Sequence, residues 1–202
     1  MIVIVGASAS GKTEIAKILI KKYGYHKCVT TTTRSQRVGE VNGIDYHFLT
    51  KEEFLLRVSQ KAFVEVTNYQ NNFYGIQRKD IDKEAVVIVD PNGANELVSK
   101  LGDSVYLVLV ESSYQDRKRR MLERGDELSN VLKRLDSDDE VFNKDKLLRI
   151  DLLINNCAQT LEELADHIYT SYQTYLKEKR WVVSLFIMKQ NVNYLKVLSF
   201  MI

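Results

Sequence analysis

Four short apolar runs, at residues 2–5, 86–89, 105–110 and 152–154, stand out along a chain whose remaining hydrophobic positions are spaced or scattered. They are rich in β-branched residues, too short for buried helices and unbroken by polar positions, the pattern of strands covered on both faces. That pattern predicts a parallel sheet. After the first run, Ile15, Ile18 and Leu19 recur at helical spacing. Near the end, Leu161, Leu164, Ala165, Ile168, Tyr172 and Tyr175 line one helix face, and Thr160 with Glu163 forms a capping box at its start. Strands alternating with helices predict an α/β fold in which helices flank the sheet.

Two segments interrupt this alternation. Residues 30–78 are polar and rich in Thr, Tyr and Asn, with a second capping box at Thr50 and Glu53 that opens a short helix carrying Phe54, Leu55 and Val58. Residues 117–146 are dominated by charge. Neither has the apolar content for a large core of its own, so both are expected to be mobile lobes mounted on a sheet domain built from residues 1–29, 79–116 and 147–179. After about residue 179 the composition turns apolar, but Lys189, Asn191, Asn193 and Lys196 interrupt it too often for a membrane span. Residues 180–202 read as a hairpin or helix packing on the core or on a second subunit, which leaves a homodimer open, or as a terminal extension without a catalytic role.

Composition narrows the classes. A chain of 202 residues, 45% hydrophobic and 28% charged, suits one domain carrying lobes. The balance of 29 basic against 27 acidic residues, +2, carries no polyanion signature, and the basic stretch from Arg117 to Arg120 precedes Asp136, Asp138, Asp139 and Glu140, so no nucleic-acid partner is expected. Only two cysteines, Cys28 and Cys157, argue against a disulfide framework or a cysteine zinc site. His26, His47 and His167 lack metal-ligand spacing and read as structural or surface residues. The run 2–5 enters Gly6 without a basic region or cleavage site, so no secretory signal is expected and a cytoplasmic location is the default.

The sharpest signal follows the first strand. Gly6-Ala7-Ser8-Ala9-Ser10-Gly11-Lys12-Thr13 is a G-x4-G-K-T phosphate loop between a strand and a helix, the context its mechanism requires. The glycines let backbone N–H groups turn inward around a phosphate, the helix N-terminus adds a favourable field, Lys12 reaches the terminal phosphates and Thr13 offers a hydroxyl to Mg²⁺. A nucleoside triphosphate ligand follows, and with it a P-loop parallel-sheet fold.

The string from Thr30 through Arg34, Arg37, Gly39, Glu40, Gly43, Asp45, Tyr46 and Phe48, followed by Glu65 and by Asn72-Phe73-Tyr74-Gly75, closely resembles the signature region of guanylate kinases. With the loop, the resemblance runs in order over roughly residues 2–178. It implies that residues 30–78 are the acceptor-binding lobe, with Arg34, Arg37, Tyr46 and Tyr74 holding the GMP phosphate. It further implies that Glu65 accepts from guanine N1–H and the 2-amino group, that Thr30 supplies a hydroxyl and that Asp90 supports the base pocket or hydrated Mg²⁺. Adenine lacks those donors, and an unpaired buried carboxylate is worth on the order of several kcal/mol of discrimination. Residues 117–146 become a lid whose Arg120, Arg124 and Arg134 close over the triphosphate, while Arg117, Lys118 and Arg119 read as solvated helix surface. Asn155 matches a position near the donor nucleotide.

The chain departs from the family pattern at Ile76, where a Ser or Thr is usual, at Ile88, where an Asp is usual, and at Ala9, where a glycine is common. The reading is an ATP-dependent guanylate kinase using Mg²⁺, with Lys12, Arg34, Arg37, Arg120, Arg124 and Arg134 as its catalytic cations. Two alternatives stand beside it: a related nucleotide kinase with an altered acceptor, and a non-catalytic guanylate-kinase-like module that binds protein.

Overall fold

The computed structural model describes residues 1–199 apart from Val38 and Gln70, and of Tyr69 and residues 182–199 the backbone alone. Strand β1 (Ile2–Val5) is wholly buried and leads through the glycine loop into α1 (Lys12–Tyr23). After β2 (His26–Lys27) the chain leaves the core for β3 (Thr31–Thr32), β4 (His47–Phe48), α2 (Lys51–Ser59), β5 (Phe63–Tyr69) and β6 (Asn72–Gln77). It returns through β7 (Ala85–Ile88), α3 (Pro91–Leu101) and β8 (Tyr106–Glu111). A helical pair, α4 (Tyr114–Glu123) and α5 (Leu128–Val141), precedes β9 (Leu152–Asn155) and the long α6 (Leu161–Ser199).

The central sheet has the order β2-β7-β1-β8-β9, every pair parallel. Four of these strands coincide with the apolar runs. The fifth, β2, is an edge of two exposed polar residues and carries no hydrophobic signal. Alternation along β1 divides the core: Ile2 and Ile4 pack with Ile15 and Leu19 of α1 and with Leu164, Ile168 and Tyr172 of α6, whereas Val3 and Val5 face Ala94 and Leu97 of α3. Fully burying each such side chain contributes about 1.5–3 kcal/mol. The capping box at α6 forms as the sequence predicts, with the Thr160 N–H donating to Glu163 Oε2 at 2.8 Å and the Glu163 N–H to Thr160 Oγ1 at 3.2 Å. Tyr23 and Tyr169 stack at 3.9 Å between ring centroids and tie α1 to α6.

A second sheet, β4-β3-β6-β5, is built entirely from the first polar segment. The Thr50–Glu53 capping box starts α2, and of Phe54, Leu55 and Val58 on that helix only Phe54 is buried. Leu55 and Val58 are 47% and 39% exposed, because a nine-residue helix laid on a small sheet covers one narrow stripe. Phe54 stacks on Phe63 at 4.4 Å and on Phe73 at 5.5 Å, an aromatic core for a segment with little else apolar.

The apolar change near residue 180 does not mark a break in backbone structure. Helix α6 continues through it to Ser199, replacing the hairpin alternative with a single helix, and residues 200–202 of that segment lie outside the described residues. Among the described residues no helix is long and apolar enough to cross a membrane.

Phe54→Ala should lower the stability of the second sheet by about 3–5 kcal/mol. Urea unfolding followed by hydrogen exchange should show the loss concentrated in β5 and β6. A uniform loss across both sheets would contradict a separate aromatic core.

Candidate functional site

The glycine loop sits at the C-terminal ends of β1 and β8, where its backbone approaches its neighbours too closely for side chains. A Cβ on Gly6 would lie 2.2 Å from the Val110 carbonyl oxygen, and one on Gly11, at φ +103°, would lie 2.5 Å from Asn156 Nδ2. Those two contacts explain the two fixed glycines. Ala9 also adopts a left-handed conformation, φ 59°, without being glycine.

Side chains brace the loop from below. The Lys12 ammonium donates to the Ala7 carbonyl at 2.6 Å, and Asn156 Nδ2 to the Ser10 carbonyl at 2.8 Å. Arg120 donates to the carbonyls of Ala9 and Asn156, each at 3.2 Å, and to Ser112 Oγ at 3.1 Å. Burial lowers Lys12 to about 8, Asp138 counteracts, and Arg117 and Arg124 push the same way as burial. A cavity of about 550 Å³ on one flank of the loop is lined by Gly11, Lys12, Thr13, Arg120 and Arg124. A second, of about 470 Å³ on the other flank, is lined by Gly6, Ala7, Arg117, Asp138, Asn155 and Asn156, among others.

The structure therefore brings Arg120 and Arg124 to the loop. Arg134 lies farther out, exposed, pairing with Asp126 at 3.6 Å. Arg117 departs from its sequence reading as solvated surface: it is 4% exposed and pairs with Asp138 and Asp139 of α5. Nothing in a run of basic residues says which of them points inward; the packing of α4 on α5 decides it. Asn156 escaped the sequence reading, which pointed to Asn155. Only its place one residue beyond β9, where a strand end meets a phosphate loop, offered a signal.

Across from the loop, the second sheet and the core together form a cavity of about 230 Å³. Thr30, Tyr46, Glu65, Tyr74 and Asp90, five residues separated by up to sixty positions in sequence, line it with Thr67 and Ile88. Glu65 is 6% exposed, and burial raises its pKa, opposed by a hydrogen bond from the Thr67 hydroxyl. Thr67 was not expected here; strand alternation, two residues after Glu65, was the available clue. Asp90 caps α3, accepting from the Gly93 N–H at 2.8 Å. Ile76 is fully buried in the hydrophobic core and does not line the cavity, whereas Ile88 does.

Arg34 and Arg37 stand beside this cavity without lining it. Glu40 organises both, accepting from Arg34 Nη2 at 2.7 Å and from the Arg37 N–H at 2.8 Å. The Arg34 guanidinium also lies 5.3 Å from the Tyr46 ring centroid. The Arg34 guanidinium, held by Glu40 next to two tyrosines whose rings are 6.4 Å apart, makes a ready anion site.

Comparison with known proteins supplies independent information. Residues 1–173 match the family model described as guanylate kinase. The chain is 37% identical over 139 residues to a guanylate kinase of Clostridium perfringens, a match covering 65% of this chain and 64% of that protein, so the chain spans less than two thirds of that relative's length. It is 35% identical over 165 residues to a guanylate kinase of Schizosaccharomyces pombe, covering 77% of this chain and 82% of that one. A solved guanylate kinase from Anaplasma phagocytophilum shares the fold with a TM-score of 0.59 at 24% identity, over 86% of this chain and 84% of that one.

Two outcomes follow from the loop. The left-handed conformation at Ala9 costs about 1–2 kcal/mol, more than the roughly 0.4–1 kcal/mol that a glycine adds to unfolded-chain entropy. Ala9→Gly should therefore raise stability by up to about 1 kcal/mol in urea titration; a loss would show that the conformation is unstrained. Lys12, at about 8, is partly neutral in mildly alkaline solution, whereas an adjacent phosphate favours its ammonium form. Inorganic tripolyphosphate binding at pH 8 should take up on the order of half a proton, read by calorimetry in buffers of different ionisation enthalpy, and affinity should fall as pH rises further.

Proposed function

Because the chain belongs to the guanylate kinase family, we propose that it transfers the γ-phosphoryl group of ATP to GMP, giving ADP and GDP. The observation that carries this reading is a pair of separate sites of different character. One is a cationic loop with Lys12, Arg120 and Arg124 at its cavity; the other is a small cavity around buried Glu65 with Arg34 and Arg37 at its side. In this reading residues 30–78 are the acceptor-binding lobe and 117–146 the lid, on a core of 1–29, 79–116 and 147–179. Nucleotides are its partners, and a cytoplasmic location belongs to the same proposal.

The chemistry asks for positioning and charge more than for proton transfer. The acceptor phosphate is already an anionic nucleophile, so no general base is needed. Loop N–H groups and Lys12 hold the donor's phosphates. Arg34, Arg37, Tyr46 and Tyr74 hold the acceptor phosphate in line with them. Arg124, from the lid, adds positive charge where it develops on the transferred group, and Arg134 reaches the same region only if the lid moves inward. Glu65 pairs with two donors on guanine, and Thr30 and Thr67 add hydroxyls to that pocket.

The residues present fit Mg²⁺. Thr13 offers its hydroxyl in the same cavity as Lys12, and the described residues contain no cluster of three His, Cys, Asp or Glu side chains, so the ion's remaining ligands would be phosphate oxygens and water, its usual partners. When bound it neutralises charge on the donor's terminal phosphates.

Ile88 on the wall of the base cavity favours a second reading, an acceptor related to GMP but not identical to it. A module without catalysis is less favoured, since binding a protein gives no reason for Lys12, Arg120 and Arg124 to converge on a phosphate loop.

ADP formation with ATP and Mg²⁺ should be far faster with GMP than with AMP, CMP or UMP. Equal rates with all four would remove the guanine assignment and leave a general nucleotide kinase. Lys12→Ala should reduce kcat by orders of magnitude, while Glu65→Gln should mainly reduce the GMP-to-AMP ratio of kcat/KM. An unchanged ratio would mean that Glu65 does not read the base.

A further inference from the structure

The cavity beside Gly6 and Ala7 contains a charge arrangement that the proposed reaction does not use. From α5, the Asp138 carboxylate reaches the phosphate loop and accepts the Ser8 N–H through Oδ2 at 2.6 Å. The same oxygen lies 3.7 Å from Arg117 Nη1. Arg117 Nη2 donates to Asp139. Yet Nε and Nη1 of Arg117 are buried without hydrogen-bond partners, on a side chain only 5% exposed.

This is an unusual place for a carboxylate. Backbone N–H groups of a phosphate loop form an anion site, and Asp138 presents to one of them the same kind of oxygen that a phosphate would. It is also an unusual place for an arginine. A buried guanidinium with two unpaired N–H groups is costly, and the cost falls when an anion with several acceptor oxygens enters. Arg117, Asp138, Gly6 and Ala7 all line one cavity, so such an anion would meet the loop and Arg117 together.

We propose that Asp138 is a built-in stand-in for the donor's phosphates, and that Arg117 is a further donor-phosphate-binding residue which it holds until they arrive. This rests on the reading of the loop as the donor site. The incoming phosphate displaces Asp138 from Ser8, takes the free N–H groups of Arg117 and leaves Asp138 to solvent, with α5 shifting relative to the loop. A carboxylate of α5 thus already bridges the loop and Arg117. Asp138 is also the largest influence favouring the charged form of Lys12, against the burial that lowers it.

Two measurements test the proposal on the full chain, with ADP and inorganic tripolyphosphate as probes. Asp138→Asn removes the stand-in's charge while nearly keeping its volume. Calorimetry at fixed Mg²⁺ should give ADP affinity about tenfold tighter, the scale of one charge-assisted hydrogen bond no longer contested. Arg117→Met in the Asp138→Asn background should abolish the gain. Unchanged or weaker binding in folded Asp138→Asn, or a gain that survives the loss of Arg117, overturns the proposal.

Asp138→Asn strips a buried arginine of a partner and so threatens folding; the second measurement therefore uses the unmutated protein. The Ser8 amide and the Asp138 carboxyl carbon should both shift in NMR spectra as tripolyphosphate saturates the loop. If tripolyphosphate binds and neither signal moves, Asp138 is not displaced and the proposal fails. Neither measurement involves GMP or turnover. Absence of GMP kinase activity with a displaced Asp138 would sink only the acceptor reading, and turnover with an undisturbed Asp138 would sink only this one.

Discussion

Bringing Lys12, Arg117, Arg120 and Arg124 around a single backbone loop concentrates positive charge where water is partly excluded, and the rest of the molecule is arranged around keeping that concentration tolerable. Burial, with Arg117 and Arg124 acting in the same direction and Asp138 opposing, lowers Lys12 to about 8. Each cation has a local answer: a loop carbonyl for Lys12, four acceptors including the Asn156 carbonyl for Arg120, Asp138 and Asp139 for Arg117, and Asp126 for the exposed Arg124. The acidic run at the end of the lid, which in sequence merely dilutes a basic stretch, is in space the counter-charge of the loop. A buried pair of this kind contributes little net stability, because desolvation offsets the attraction. Its effect is to fix α4 and α5 against the loop.

The facing site obeys the same electrostatics with the signs exchanged. A buried carboxylate, Glu65, forms the cavity, while the arginines of that lobe stay beside it, held by Glu40. Carboxylates therefore appear in two capacities. Glu40 and Asp138 pair with arginines, and in the proposed reading Glu65 pairs with donors on a base. The distinction lies in position: Glu40 and Asp138 touch arginines, whereas the Glu65 carboxylate accepts from the Thr67 hydroxyl.

These two sites are mounted on unequal supports. The phosphate loop hangs from a five-stranded parallel sheet with apolar layers on both faces, and its glycines are demanded by carbonyl and amide groups of neighbouring strand ends. The acceptor side rests on four strands and one stacked trio of phenylalanines. In the proposed reading, a rigid donor site and a lightly built acceptor lobe suit a reaction that must enclose two nucleotides and then release them.

The sequence by itself determined the parallel sheet, since short uninterrupted apolar runs at 2–5, 86–89, 105–110 and 152–154 leave no other economical burial. It determined the phosphate loop and both capping boxes, because these are local: their chemistry lies within a few consecutive residues. It also named five of the residues that line the cavity between the second sheet and the core, through a resemblance rather than through any spacing that physics could interpret. Tertiary structure alone decided the direction of side chains. Arg117 and Arg119 belong to one basic run, yet one is buried and the other exposed, and helix α5, invisible to that run, makes the difference. Ile76 and Ile88 are equally apolar, and only the fold keeps the first out of the base cavity and sets the second on its wall. Asp138 lies 130 residues from Ser8. A contact at that separation is fixed by packing between whole elements, and no pattern confined to neighbouring residues encodes it.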